Sequence, residues 1–172
     1  MPQKITAIAV LLSAMCLLNA HAADKIATPV THEIDADVWN VITDTVATRD
    51  IVKMGSTYLP DAVLVAPEGT KAISTALKKW GRDMVEQQAK GQTATVAFRF
   101  SRRQDDAATA FESGIAKYTV QEKSGAMKSM YWSFEQLFVK KNGKWRILME
   151  RQVSDLAQAD WDKLPPNDMS RN

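Results

Sequence analysis

Asn142-Gly143 separates two runs of alternating side chains, residues 128–141 and 144–156, and no other stretch restricts the fold as strongly. A type I′ turn needs φ > 0 at both central residues, which Asn and Gly tolerate, so the pair predicts a β-hairpin with a two-residue loop. In that register Lys141 faces Lys144, Phe138 faces Ile147, Phe134 faces Arg151 and Glu135 faces Glu150. One face then carries Trp132, Phe134, Phe138, Trp145, Ile147, Met149 and Val153. The other carries Tyr131, Ser133, Glu135, Leu137, Leu148, Glu150 and Gln152. Two like charges in direct opposition destabilise a hairpin unless they are solvated or put to use.

Ahead of the hairpin the pattern is helical, then extended. Thr31 is the expected cap of a helix running to about Thr48, because Ile34, Val38, Val41, Ile42 and Thr45 share one face. Trp39 falls at the edge of that stripe and reads as a packing residue. Asp50 starts a short helix with Ile51, Met54 and Tyr58 on one side, ended by Pro60-Asp61. Residues 62–66 read as a strand. After the Pro67-Glu68-Gly69 turn, Thr70 is the expected cap of a third helix with Ile73, Leu77, Trp80 and Met84 in one stripe and Gly91 just past its end. Residues 93–102 and 109–121 alternate as strands. A Ser124-Gly125 two-residue turn would set Glu112 against Leu137, Gly114 against Glu135 and Tyr118 against Tyr131. This order predicts an α+β domain: three helices on the concave side of one strongly curved, mostly antiparallel sheet, a cone-shaped cystatin-like barrel.

The first 22 residues read as a secretory signal peptide: Lys4, a short apolar run over residues 5–18, and the small-x-small site Ala20-His21-Ala22. Met15 stands where a lipoprotein signal ending in Cys16 would need a small residue. Removal of the leader takes the one cysteine with it, so neither disulfides nor thiol chemistry are expected, and export without cysteines points to a periplasm. The chain has 22 Lys and Arg, one of them Lys4, against 20 Asp and Glu, so the mature protein is nearly neutral. That balance argues against nucleic acid or a membrane surface as partner. Residues 23–30 read as a flexible leader, 31–156 as one domain, and 157–172 as a polar tail in which Trp161 is able to dock and disorder is expected beyond Leu164.

The order and spacing of Asp50-Ile51, Tyr58, Asp61-Ala62-Val63, Pro67, Gly69-Thr70-Lys71-Ala72-Ile73, Gly114 and Gly143-Lys144-Trp145-Arg146-Ile147 resemble the nuclear-transport-factor-two-like superfamily. The likeness is to its ketosteroid-isomerase-like and SnoaL-like branch and spans residues 31–156. The resemblance implies a conical cavity, and its members range from isomerases, cyclases, dehydratases and hydrolases to non-catalytic pockets, so fold does not give function. The general-base Asp of ketosteroid isomerases corresponds to Ala66, and their helix tyrosine falls near Ile42, which argues against steroid isomerisation by that mechanism. Their oxyanion-side Asp corresponds to Glu135, and an acid of SnoaL-like cyclases to Glu150. The resemblance thereby puts the polar hairpin face toward the cavity and the aromatic face on the convex side, as a homodimer interface.

If that polar face lines a cavity, Glu135 and Glu150 repel and one titrates high, giving an acid and a base in one site. On an exposed sheet face both carboxylates would simply be solvated. Glu135 and Glu150 are thus the candidate catalytic residues, and Tyr58, Glu112, Tyr118, Tyr131, Leu148 and Gln152 the candidate ligand contacts. Arg99 is either a counter-ion or a surface residue. His32, at a helix start, is the only histidine outside the leader. The chain offers no metal-ligand spacing and no phosphate loop, so no metal or cofactor is expected. The expected partner is a small apolar or amphipathic molecule. Two function classes follow: an acid–base enzyme of isomerase, cyclase, dehydratase or hydrolase type, or a non-catalytic ligand-binding or dimerisation module.

Overall fold

A computed structural model describes residues 28–166. The expected signal peptide with Cys16, most of the expected leader and the end of the tail lie outside the described residues. The first helix is continuous through three segments: α1 (Pro29–Ile34), a π-helical turn (Asp35–Trp39) and α2 (Asn40–Thr48). The cap is Thr28 rather than Thr31; its side chain accepts from the Thr31 N–H. Pro29 is the first helical residue, where its missing N–H costs nothing. The π turn fits an extra residue into the helical path and brings Trp39 fully inside. It also docks the helix on the hairpin end. Asp37 accepts from the Trp145 backbone at 3.0 Å and from Lys144 at 2.8 Å.

α3 (Ile51–Gly55) is capped by Asp50. β1 (Tyr58–Ala66) begins where the short helix was expected to end, and Pro60 lies in the irregular part of its pairing, where a missing donor is tolerated. Residues 69–72 form β2 (Gly69–Ala72), antiparallel to β1, so Thr70 is in a strand and α4 (Ile73–Ala89) starts from Ala72 without a side-chain cap. β3 (Thr93–Asp105), β4 (Thr109–Gln121), β5 (Met127–Lys141) and β6 (Lys144–Asp155) follow as a meander. The six strands are ordered β2-β1-β6-β5-β4-β3, with β1 parallel to β6 and every other pair antiparallel. The curved sheet and its helices form the expected α+β architecture.

Which face turns inward differs from expectation. Phe134, Phe138, Trp145 and Ile147 are at most 2% exposed and pack beneath the helices, so they form no convex dimer face. Burying each contributes about 2 kcal/mol, whereas taking two opposed carboxylates out of water is costly. Trp39 lies at the centre, with the rings of Phe98, Phe100, Phe134 and Phe138 at 4.5–5.9 Å.

The hairpin closes at Asn142-Gly143 as expected, with φ of 54° and 74°, and keeps Lys141 against Lys144 and Phe138 against Ile147. Leu148 then enters β6 as an extra residue. Beyond it Met149 faces Leu137, Glu150 faces Gln136 and Arg151 faces Glu135. Because strand side chains alternate, a one-residue bulge exchanges inside for outside. Glu150 therefore joins Phe138 and Phe134 on the inner face, while Glu135 remains outside.

The turn between β4 and β5 is also one residue longer than expected. The Glu122 N–H donates to the Ala126 carbonyl at 2.8 Å, leaving residues 123–125 as the loop with Gly125 at φ 90°. Glu112 thus faces Gln136, Gly114 faces Phe134 and Tyr118 faces Met130. Gly114 leaves no space for a ligand: a Cβ there would stand 2.1 Å from the Arg99 carbonyl oxygen and 2.9 Å from the Phe134 ring. Its partner strand bulges at the same place, between Phe100 and Arg102, which tightens the curl of the sheet.

On the convex side α5 (Gln158–Asp162) lays Trp161 over Ile115 and Tyr131. Arg99 is neither a cavity counter-ion nor free in solvent. It stacks 4.5 Å from the Trp161 ring and donates to the Trp161 and Leu164 carbonyls at 2.9 and 3.1 Å.

Candidate functional site

The corrected registers align one row of side chains across the inner face: Arg103 on β3, Glu112 on β4, Gln136 on β5, Glu150 on β6 and Leu64 on β1. Two sites divide this row. A cavity of about 310 Å³ lies between the sheet, α2 and α4, and Gln136 and Glu150 line it. Along β5 the exposure falls from 47% at Met130 to 2–3% at Phe134 and Gln136, so Met130 marks the mouth and Gln136 the floor. Ile42, Val46, Met84, Val96, Phe98 and Phe134 make apolar walls. Trp80, Trp132 and Tyr118 also line it, and the Tyr118 hydroxyl donates to Gln87 on α4 at 2.9 Å.

The floor is polar. Tyr58 donates to Glu150 Oε2 at 2.6 Å, and Gln152 donates to Oε1 at 2.8 Å. Burial pushes the Glu150 carboxyl above the ordinary carboxylate range, although hydrogen bonds from Tyr58, Gln152 and Gln136 each favour the ionised form. Burial, the charge of Glu150 and the hydrogen bond to it likewise push the Tyr58 hydroxyl well above its usual 10. Gln136 is 3% exposed, and its Oε1 has no hydrogen-bond partner. Glu150 and Tyr58 together can hold or pass a proton at the closed end of an apolar chamber.

The second site is filled by its own side chains. Glu112, 1% exposed, accepts from Trp39 Nε1 at 2.6 Å and from Arg103 Nε at 2.9 Å. Arg103 reaches on to Asp35 at 2.6 Å and lies 4.3 Å from the Phe100 ring. Burial raises Glu112 to about 7, outweighing the pull of Arg103 and Trp39 in the other direction. Asp35 and Trp39 begin and end the π turn, so the turn presents both to this cluster.

Of the residues singled out in the sequence, the structure gathers Tyr58, Tyr118, Glu150 and Gln152 around the cavity. Glu112 shares the inner face but does not line the cavity. Glu135 is on the outer face, ion-paired with Arg151 at 2.9 Å, so the expected carboxylate pair does not form. Tyr131 packs against Trp161 on the convex side, and Leu148 occupies the bulge away from the cavity. Gln136 was missed, because the uninterrupted register placed it on the opposite face from Glu150. Trp80 and Met84 were visible as a helix stripe but carried no sign that a cavity adjoined it. Among the described residues no group of three His, Cys, Asp or Glu side chains is arranged to hold a metal ion.

No protein-family model and no curated protein matches the sequence. Solved structures do match the fold. Aln2 from a Streptomyces species superposes with a TM-score of 0.62 at 15% identity, covering 74% of this chain and 93% of that one. An NTF-2 like protein of unknown function from Shewanella oneidensis MR-1 gives 0.58 at 11% identity, over 74% and 100%. A ketosteroid isomerase-like protein from Erwinia carotovora atroseptica gives 0.50 at 17%, over 73% and 98%. The shared order of helices and curved sheet shows that this chain has the fold of the nuclear-transport-factor-two-like superfamily.

Proposed function

We propose that the protein binds a small, mainly apolar molecule in this cavity, with the polar end of the ligand held at Glu150 and Gln136. The observation that carries the reading is the floor: a buried carboxyl and an unpartnered amide oxygen end a chamber whose walls are mainly apolar. Leaving such an acceptor unsatisfied costs about 1–3 kcal/mol, which a purely structural core would avoid by packing an aliphatic side chain there. Thermal unfolding with naphthylmethanol tests it. A ligand that binds the folded state raises the transition temperature with concentration. Val46→Phe, which fills part of the chamber, should abolish that rise. No stabilisation by any naphthyl compound, charged or neutral, would overturn the reading.

The 2.6 Å Tyr58–Glu150 bond favours a second reading, in which Glu150 exchanges a proton with the bound molecule as a single acid–base group. Hydrogen–deuterium exchange into a bound ketone at its α-carbon, lost in Glu150→Gln, would support it; equal exchange in both proteins would remove it. The amino-terminal sequence supports export to the periplasm. Intact mass of exported protein is expected to begin at Ala23, and retained leader residues or a lipid on Cys16 would overturn that assignment.

A further inference from the structure

The two buried acids of the inner row are treated differently by the fold. Glu112 has a built-in counter-cation, Arg103, at 2.9 Å. Glu150 has none among the described residues: Tyr58, Gln152 and Gln136 are all uncharged. None of the cavity-lining residues is Lys, Arg or His. The other acid of the lining, Asp83, already pairs with Lys79 at 2.7 Å. The basic charge felt at the mouth is that of Arg49, whose guanidinium donates to the Gln92 carbonyl. The uncompensated acid is therefore at the floor.

The buried floor atom left without a hydrogen-bond partner is an acceptor. The Tyr58 hydroxyl and the Gln152 amide are spent on Glu150, while Gln136 Oε1 waits for a donor. Tyr58, Trp80, Trp132 and Phe134 line the chamber, and aromatic rings attract cations over their faces. We infer that the cavity takes a protonated amine on an apolar body, its ammonium group set against Glu150 and donating to Gln136. This inference rests on the cavity-binding reading and narrows it: the ligand brings the positive charge that Glu150 lacks and a donor for Gln136 Oε1, and anions are disfavoured.

Calorimetric titration at neutral pH with naphthylmethylamine, naphthylmethanol and naphthoate compares one apolar body bearing three head groups. The amine is expected to bind at least tenfold more tightly than the alcohol, about 1.4 kcal/mol, with naphthoate weakest. Glu150→Gln should bring the amine down to the level of the alcohol, and Glu150→Asp should keep the preference. An alcohol that equals or exceeds the amine in the unmodified protein overturns the amine assignment and leaves cavity binding standing. Binding of none of the three overturns cavity binding itself. The ranking in the unmodified protein decides the matter even where a variant fails to fold. A tenfold preference that persists in folded Glu150→Gln would place the ammonium elsewhere and refute the role of Glu150.

Discussion

Glu112→Gln isolates the energetic consequence of burying a carboxyl behind Trp39. In the folded chain burial holds this group at about 7, while its ordinary value is 4.5. A carboxyl whose folded value lies above its unfolded one is better tolerated protonated. Stability from this group is therefore complete below 4.5 and is lost as pH rises to about 7, beyond which the loss is constant. The interval corresponds to about 3 kcal/mol. The Gln variant has no proton to lose there. Whatever offset the altered hydrogen bonds to Trp39 and Arg103 introduce, the variant should gain about 3 kcal/mol relative to the parent between pH 4.5 and about pH 8. Glu150 shifts in the same direction, but it is common to both proteins and cancels in the comparison. Urea unfolding followed by tryptophan fluorescence at the two pH values measures the difference. A gap constant to within about 0.5 kcal/mol would mean that Glu112 titrates as an ordinary carboxylate. A change of the opposite sign would show that the ion pair with Arg103 outweighs burial.

Three other substitutions test the architecture. Gly114→Ala forces a methyl group to 2.1 Å from the Arg99 carbonyl, a backbone atom that cannot swing away, and should cost at least about 3 kcal/mol in urea unfolding. Glu135→Gln removes only a surface ion pair with Arg151; stability should change by less than about 0.5 kcal/mol and ligand titrations should be unaffected. Trp161→Ala strips the cover from Ile115 and Tyr131 and removes the ring under Arg99. It should cost about 3 kcal/mol, whereas an unchanged unfolding midpoint would show that α5 contributes nothing to the domain.

The elements with strong periodic patterns were legible in the residues. The stripe of Ile73, Leu77, Trp80 and Met84 located α4, and Asn142-Gly143 placed Lys141 opposite Lys144 and Phe138 opposite Ile147. What could not be read was phase. A β-bulge needs only one extra residue, and Leu148 looks like any strand residue, yet it decides that Glu150 faces Gln136 and Glu135 faces Arg151. The β4–β5 loop failed for the same reason. Ser124-Gly125 fits a two-residue turn as well as the end of a three-residue one, and the difference moves Glu112 from Leu137 to Gln136. The π turn was invisible too, since it alters the rotation of the helix without altering its composition. Tyr58, Tyr118, Glu150 and Gln152 were singled out one by one; their gathering around one cavity required the registers.

The floor of the cavity joins the two ends of the domain. Tyr58 and Glu150 are 92 positions apart, and the parallel pairing of the first strand with the last brings them together. The β3–β6 meander can zip up from neighbouring hairpins, whereas pairing β1 with β6 must close a loop that contains all the intervening strands and α4. Loop closure therefore leads us to expect the Tyr58–Glu150 bond to form at the end of folding. Fragments that stop short of β6 lack Glu150 and Gln152, so a ligand that needs both would stabilise the finished domain and not its intermediates.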